Sequence, residues 1–360
     1  MSGSVVRGMR SAEVRPQVET YESTQALPSD ITPLFATAPS FFSTWGWWDA
    51  VLKHGLPANT CPRLLLVRLD GVAAALFPML YEPSNKRLQA LTTPYTCRYE
   101  PLFACSVAQL PAIFDALAQH CRSFPITRMD ALAPALELDI ARSGKSAGLA
   151  VARFAHFGNW HQTITHPNWA AFLAGRPGKL RETIRRRTKQ AEQLAGLQIR
   201  LFDRLGDLDA GISAFETVYA RSWKRPEPYP TFNAAQIRAA ASLGIGRLAV
   251  WVIDGVPAAV QFWIVEQGKA TLLKLVHDEA FKAHSPGTIL TAWMIRHMID
   301  QEHIRELDFG RGDDDYKQDW VGMRRQMTGL LLINPRSPRG LLELARHRTG
   351  EVAARFRRGR

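Results

Sequence analysis

The sequence predicts an α+β fold in two similar halves, each a mixed central sheet flanked by helices. Three observations carry that expectation. Residues 65–80 read LLVRLDGVAAALFPML and residues 249–264 read AVWVIDGVPAAVQFWI, an internal repeat. In both, Asp-Gly separates two apolar runs, the signature of a hairpin whose tight turn needs positive φ. An aromatic-bearing helical pattern precedes each hairpin, Trp45 to His54 in the first half and GISAFETVYARSWKRPE, ending in Trp223, in the second. The second copy then continues through a third strand, a Gly-bearing loop, a helix and a further strand, the order of a mixed α+β unit.

Taken along the chain, residues 1–28 lack the apolar stretch of a secretory signal and are expected to be a flexible leader on a cytoplasmic protein. Residues 29–155 hold the first helix and hairpin, and residues 156–335 the second copy. There, GKLRETIRRRTKQAEQLAGL places Leu180, Ile184 and Leu194 on one face of a helix whose remaining faces are basic. After the Asp254-Gly255 hairpin come a strand from Ala270 to Asp278 and the loop EAFKAHSPG. A helix from Thr288 to Gln301 follows, with Ile289, Leu290, Trp293, Met294 and Met298 at helical spacing, and then the strand IRELDF. Residues 336–360 form a basic tail with two Pro-containing turns and one short helix.

Length and charge narrow the function classes. A chain of 360 residues exceeds what one core usually supports, so two domains are expected. The apolar runs at Leu64–Val67 and Leu248–Ile253 are broken by Arg68 and Asp254, far short of a transmembrane segment. The net charge of +12 is concentrated in two places. Arg176 to Lys189 holds seven basic residues against Glu182, and Arg336 to Arg360 holds eight Arg against Glu343 and Glu351. The tail suits an acidic partner or a membrane surface, or is a solvated end; the internal helix suits phosphates, or is an ordinary exposed helix. No RNA-recognition or helix-turn-helix signature accompanies the charge, which argues against sequence-specific nucleic-acid binding. Cys61, Cys97, Cys105 and Cys121 form no C-x-x-C pair and no zinc spacing, so they read as reduced cysteines and no metal is implied.

Two stretches carry chemistry. In AHSPGT the start of a helix offers unpaired N–H groups and the positive end of its dipole to an anion. Gly287 would let a phosphate approach, Ser285 or Thr288 would cap, and Lys282 lies alongside; a plain cap and turn is the alternative. The second stretch, LDFGRGDDDYKQDW from Leu307 to Trp320, packs acids, two glycines and Lys317 between a strand and an aromatic end. Lys317 pairing with Asp313 or Asp315, Asp308 capping the turn at Gly310, and Trp320 in the core are the structural alternatives. His277 and His284 flank the loop as candidate bases or as hydrogen-bonded structure. A calcium loop is excluded, because Arg324 stands where the bidentate Glu would be.

The strand meander, the AHSPG loop and the pattern Asp308-Phe309-Gly310-x-Gly312-Asp313, then Tyr316-Lys317 and Trp320, resemble the BioF2-like acetyltransferases of the GNAT superfamily, which include the CelD-like cellulose-biosynthesis proteins. The chain is also similar to the FemAB peptidyltransferases, whose tandem GNAT-like domains arose by duplication and whose Phe-Lys-x-x-aromatic segment Tyr316, Lys317 and Trp320 match. The resemblance covers residues 160–330. It implies tandem GNAT-like domains and transfer of an acyl group from acetyl-CoA or another acyl-CoA to an amine, without metal or covalent intermediate. The acceptor would be a small molecule or glycan precursor, in envelope polysaccharide or related metabolite synthesis. Lys317 would stabilise charge on the carbonyl oxygen, and Asp308 or Asp313 would take the amine's proton. Tyr316, Trp320, Arg311 and His277 would contact the acceptor, and Lys282, Ser285, Gly287 and Thr288 the donor. One departure stands out: the Gln/Arg-x-x-Gly-x-Gly/Ala pyrophosphate loop of many GNAT enzymes is reduced here to Lys282, Ser285 and Gly287. An aminoacyl-tRNA donor therefore stays open, as does a non-catalytic binder of an acidic polymer or nucleic acid through Arg181 to Lys189.

Overall fold

The structure, a computed structural model, describes residues 15–193 and 198–347. The first half runs β1 (Pro16–Tyr21), α1 (Thr32–Ala36), α2 (Trp45–His54), β2 (Cys61–Leu69), β3 (Val72–Glu82), β4 (Arg87–Ala90), a short β5 (Leu102–Phe103), α3 (Leu110–Cys121), β6 (Ile126–Leu132), α4 (Pro134–Ser146) and β7 (Ala150–Thr163). The second runs α5 (Trp169–Ala174), α6 (Gly178–Ala191), β8 (Gln198–Phe202), α7 (Leu208–Ala220), α8 (Phe232–Ser242), β9 (Gly246–Ile253), β10 (Val256–Glu266), β11 (Lys269–His277), α9 (Pro286–Asp300), β12 (Glu306–Arg311), α10 (Lys317–Trp320) and β13 (Met323–Ile333).

The strands form one sheet in the order β1-β2-β3-β4-β6-β13-β7-β12-β11-β10-β9-β8, with β5 beside β3. Read inward from either edge, the sheet repeats itself. An antiparallel meander of four strands meets a parallel neighbour, β6 beside β4 in one half and β12 beside β11 in the other. The centre is exchanged: β13 lies against β6, β7 lies against β12, and the two pair with each other from Met323↔His161 to Ile333↔Ala150. Both Asp-Gly turns form as expected, with φ of 49° and 84° at Asp70 and Gly71 and 48° and 78° at Asp254 and Gly255. Two successive positive φ values match the right-handed twist of the flanking strands, and Asp tolerates the first of them.

Several expectations are corrected. Residues 16–21, assigned to a flexible leader, form edge strand β1 on β2, where Arg68 bridges Glu19 and Asp30. The helix expected to end at Trp223 stops at Ala220, and α8, not anticipated from its alanine-rich sequence, is the counterpart of α2 in the repeat. The two counterparts pack on each other: Trp47 and Phe232 meet edge to face at 5.5 Å, and the same buried cluster continues into α7 and into β2, β3, β9 and β10. Leu194, the third apolar residue expected on α6, lies outside the described residues, and Leu180, Ile184 and Ala191 form the buried face. In the tail, residues 338–347 are helical and the rest lies outside the described residues. No helix among the described residues is long and apolar enough to cross a membrane.

Because that cluster draws on both halves, Trp47→Ala is expected to lower stability by about 3–5 kcal/mol. Urea unfolding followed by circular dichroism should show the whole transition moving to lower denaturant as one step. A shift confined to part of the signal would show that the halves unfold independently.

Candidate active site

Strands β11 and β12 run parallel only through Lys269↔Glu306, Ala270↔Leu307 and Thr271↔Asp308. Beyond Thr271 they part. The cause is a bulge at Gly310, which adopts φ +60°. A side chain there would meet the Leu272 carbonyl oxygen at 2.3 Å from its Cβ, so the position accepts only glycine. Asp308 and Asn159 hold the bulge: Gly310 N–H donates to Asp308 Oδ1 at 2.8 Å, and Asn159 Nδ2 donates to Asp308 Oδ1 at 2.6 Å and to the Gly310 carbonyl at 2.7 Å. The turn-capping alternative for Asp308 is thus what the structure shows.

Beside the end of β11, past the paired stretch, lies a cavity of about 420 Å³. Leu275 and His277 of β11, the first turn of α9, Tyr316, Trp320 and residues Lys179, Leu180 and Thr183 of α6 line it. The start of α9 differs from expectation. Neither Ser285 nor Thr288 caps through its side chain; Ser285 sits in the left-handed region (φ 54°, ψ 49°) and its carbonyl accepts from Thr288 and Ile289 N–H. Both hydroxyl-bearing residues line the cavity. Gly287 lies between them and β11, and a Cβ there would stand 3.7 Å from His277 Nδ1 and from Leu275 Cδ2. Lys282 reaches the rim, paired with Glu279 at 3.3 Å.

His277 packs on Trp223, ring centroids 4.3 Å apart, and both of its ring nitrogens are buried without a hydrogen-bond partner. Burial lowers its pKa, outweighing Glu279 at 3.6 Å from Nε2, so the imidazole is neutral at neutral pH. Trp223, Leu275 and Tyr316 also wall a second cavity of about 130 Å³, bounded by Lys224, Lys274, Arg311, Asp314 and Lys317. Lys317 is 3% exposed on its side chain, and its Nζ donates to the carbonyls of Arg311 (2.8 Å) and Gly312 (3.2 Å) and pairs with Asp314 at 3.2 Å. Arg311 lies over the Phe157 ring and donates to the Thr93 carbonyl at 3.4 Å, with His156 Nε2 at 3.1 Å, so it is anchored to the first half.

The acidic candidates do not converge with Lys317. Asp308 faces a separate polar cavity of about 190 Å³, where Oδ2 meets Arg325 at 2.7 Å and Lys269 at 2.9 Å. Burial favours its neutral form, but Lys269 and Arg325 outweigh burial and hold its pKa below the ordinary carboxylate value. Asp313 is half exposed and forms a two-pronged pair with Arg324 at 2.6 and 2.7 Å, which likewise lowers its pKa. The residues brought together are therefore Ser285, Gly287, Thr288, His277, Tyr316 and Trp320 at the larger cavity, and Lys317 and Arg311 at the smaller. Sequence reasoning missed Trp223 and Lys224, which it assigned to a helix end, and Asp314. An aromatic beside a lysine just before the proline-rich run 226–230 was the available signal.

The Asp308 network sets a pH dependence. A depressed folded pKa means its stabilisation is complete above the unfolded pKa and is lost as pH falls through the folded value. Asp308→Asn, which leaves Lys269 and Arg325 without their buried counter-charge, is expected to cost about 3–5 kcal/mol near neutral pH. Urea midpoints should converge with those of the unaltered protein as pH falls below the carboxylate range; a gap independent of pH would refute the assignment.

Residues 178–318, which include the splayed strands and most of the larger cavity, match the family model described as an acetyltransferase (GNAT) domain. No curated protein matches the chain. Among solved structures, FemX superposes with a TM-score of 0.57 at 11% identity, covering 88% of this chain and 98% of that one. The C-terminal domain of a putative lysylphosphatidylglycerol synthetase from Agrobacterium fabrum gives 0.56 at 11% identity, covering 88% and 93%. A conserved protein of unknown function from Bacteroides thetaiotaomicron gives 0.51 at 9% identity, covering 88% and 100%. At such identities the likeness is one of fold. The mixed sheet, its internal repeat and the family match together show tandem GNAT-like α+β architecture, with a GNAT-type acetyltransferase domain at residues 178–318.

Proposed function

We propose that the protein is an acyl-CoA-dependent N-acyltransferase whose donor lies between β11 and β12 against the start of α9. The parting of the two strands carries this reading. It leaves the β11 edge unpaired beyond Thr271, where an extended donor arm bearing amides can add as a strand does. The arm's phosphates would lie at the first turn of α9, where Gly287 permits close approach and the helix dipole favours negative charge. The thioester would then reach the region of His277, Trp223 and Tyr316, where the two cavities meet.

The reaction needs a neutral amine and a held thioester. The amine lone pair attacks the carbonyl carbon, the C–N bond forms, the C–S bond breaks, and the CoA thiolate leaves. His277, kept neutral by burial and with neither nitrogen committed to a hydrogen bond, accepts the proton the amine loses. Lys317, its ammonium spent on Arg311, Gly312 and Asp314, shapes the loop that carries Tyr316.

A second reading keeps the cleft and changes the donor to an aminoacyl-tRNA, as in the FemAB peptidyltransferases. It is favoured by α6, which contributes Lys179 and Thr183 to the cavity and exposes Arg181, Arg185 and Arg186 beside it. Donor consumption abolished by RNase would select this reading.

Calorimetric titration with acetyl-CoA is expected to show saturable binding, weakened at least about tenfold by Gly287→Val, whose branches would occupy the space beside His277. Absence of binding by acetyl-CoA and by longer acyl-CoAs would end the acyl-CoA reading. Once an acceptor is identified, His277→Gln should leave donor affinity unchanged and lower kcat about a hundredfold or more. An unchanged kcat would remove His277 as the base.

A further inference from the structure

Around the smaller cavity, four cations come together: Lys224 after α7, Lys274 on β11, Arg311 on β12 and Lys317 on α10. Their carboxylate partners are fewer. Lys317 takes Asp314, and Lys274 takes Glu227 at 2.5 Å while resting 4.3 Å from the Tyr95 ring centroid. Glu227 is itself shared, accepting from the Tyr95 hydroxyl at 2.5 Å. Lys224 has no hydrogen bond or ion pair from its ammonium among the described residues; Nζ stands 5.9 Å from the Trp223 ring centroid. The cavity is thus positive, and two of its cations, Arg311 and Lys224, form no ion pair among the described residues; Arg311 is held by the Thr93 carbonyl and His156, whereas the Lys224 ammonium has no hydrogen-bond partner there.

The geometry points to this cavity as an anion subsite of the acceptor, so that the accepted amine belongs to a molecule carrying a carboxylate or phosphate close to the amino group. The inference rests on the acyl-transfer reading, because it is the shared wall of Trp223, Leu275 and Tyr316 that brings an anion held here within a short reach of the donor cleft. Size limits the ligand: about 130 Å³ holds a carboxylate or phosphate and few further atoms, leaving the amine outside toward the larger cavity. The state of Lys224 agrees. Burial, and then repulsion from Lys274, pull its pKa down to about 8 against the smaller pull of Glu227 and Asp314, with Lys317 adding repulsion. A half-buried ammonium of this kind is the group a bound anion compensates most.

Two measurements on the full chain test this. Inorganic phosphate and acetate are titrated separately by calorimetry; at least one should bind saturably, with affinity reduced about tenfold or more in Lys224→Met and largely retained in Lys224→Arg. Acetyl-CoA affinity should be the same in all three proteins. In turnover with acetyl-CoA, O-phosphoethanolamine or glycine should be accepted over ethanolamine and glycinamide, and Lys224→Met should erase the difference. Failure of both anions to bind, equal binding in Lys224→Met, or equal use of charged and uncharged amines would overturn the subsite. If acetyl-CoA itself does not bind, the acyl-CoA reading falls, and the anion titration still decides whether this cavity takes an anion.

Discussion

The cleft exists because a buried carboxylate holds a bulge. Asp308 receives the Gly310 N–H and the Asn159 amide on one oxygen and faces Lys269 and Arg325 with the other. A buried carboxylate is costly unless fully hydrogen-bonded and charge-paired, and here it is both. The consequence is geometric. With Gly310 turned to positive φ, β12 bends at the point where its parallel pairing with β11 ends, and the edge that would have continued the ladder faces a cavity.

That knot is also where the two halves of the chain meet. Asn159 comes from β7 and Arg325 from β13, the pair of strands exchanged at the centre of the sheet. The site on the second half is therefore braced by the first. Arg311 reaches back to Thr93 and His156, and Tyr95 holds the Glu227–Lys274 pair, so groups around the smaller cavity take their positions from both copies of the repeat. A duplication that exchanges its central strands gives one copy a cleft and makes the other its scaffold.

The fold was legible where the sequence carries local signals. The Asp-Gly hairpins, α2, β11 and the body of α9 follow from turn chemistry and apolar spacing, which act within a few residues. What was missed depends on long-range pairing. Residues Pro16–Tyr21 look like a polar leader, and only β2 makes them a strand; the exchange of β7 and β13 has no local signature at all. In the site, the Leu307–Trp320 segment was found, but partner choice within it was not readable. Asp308, Asp313 and Asp314 look alike in sequence, and the structure gives the first to Arg325 and Lys269, the second to Arg324 and the third to Lys317.

The two lysines at the smaller cavity show why such assignments need three dimensions. Lys317 lies in the recognisable motif and is the more buried, yet its donors close the loop on its own carbonyls, and that satisfied geometry is what lets a charge stay buried. Lys224 lies outside any motif, in a stretch that reads as the end of a helix, yet burial and like charge pull its pKa down to about 8, and its ammonium has no hydrogen bond or ion pair among the described residues. Motif position marks the loop's architecture, whereas partner accounting marks the cation still available to a ligand. Of the four cations around the cavity, Lys317 and Lys274 have carboxylates and Arg311 has the Thr93 carbonyl and His156, so a bound anion would gain most from the ammonium that has no hydrogen bond or ion pair among the described residues, and the proposed selectivity rests on Lys224 rather than on the motif lysine.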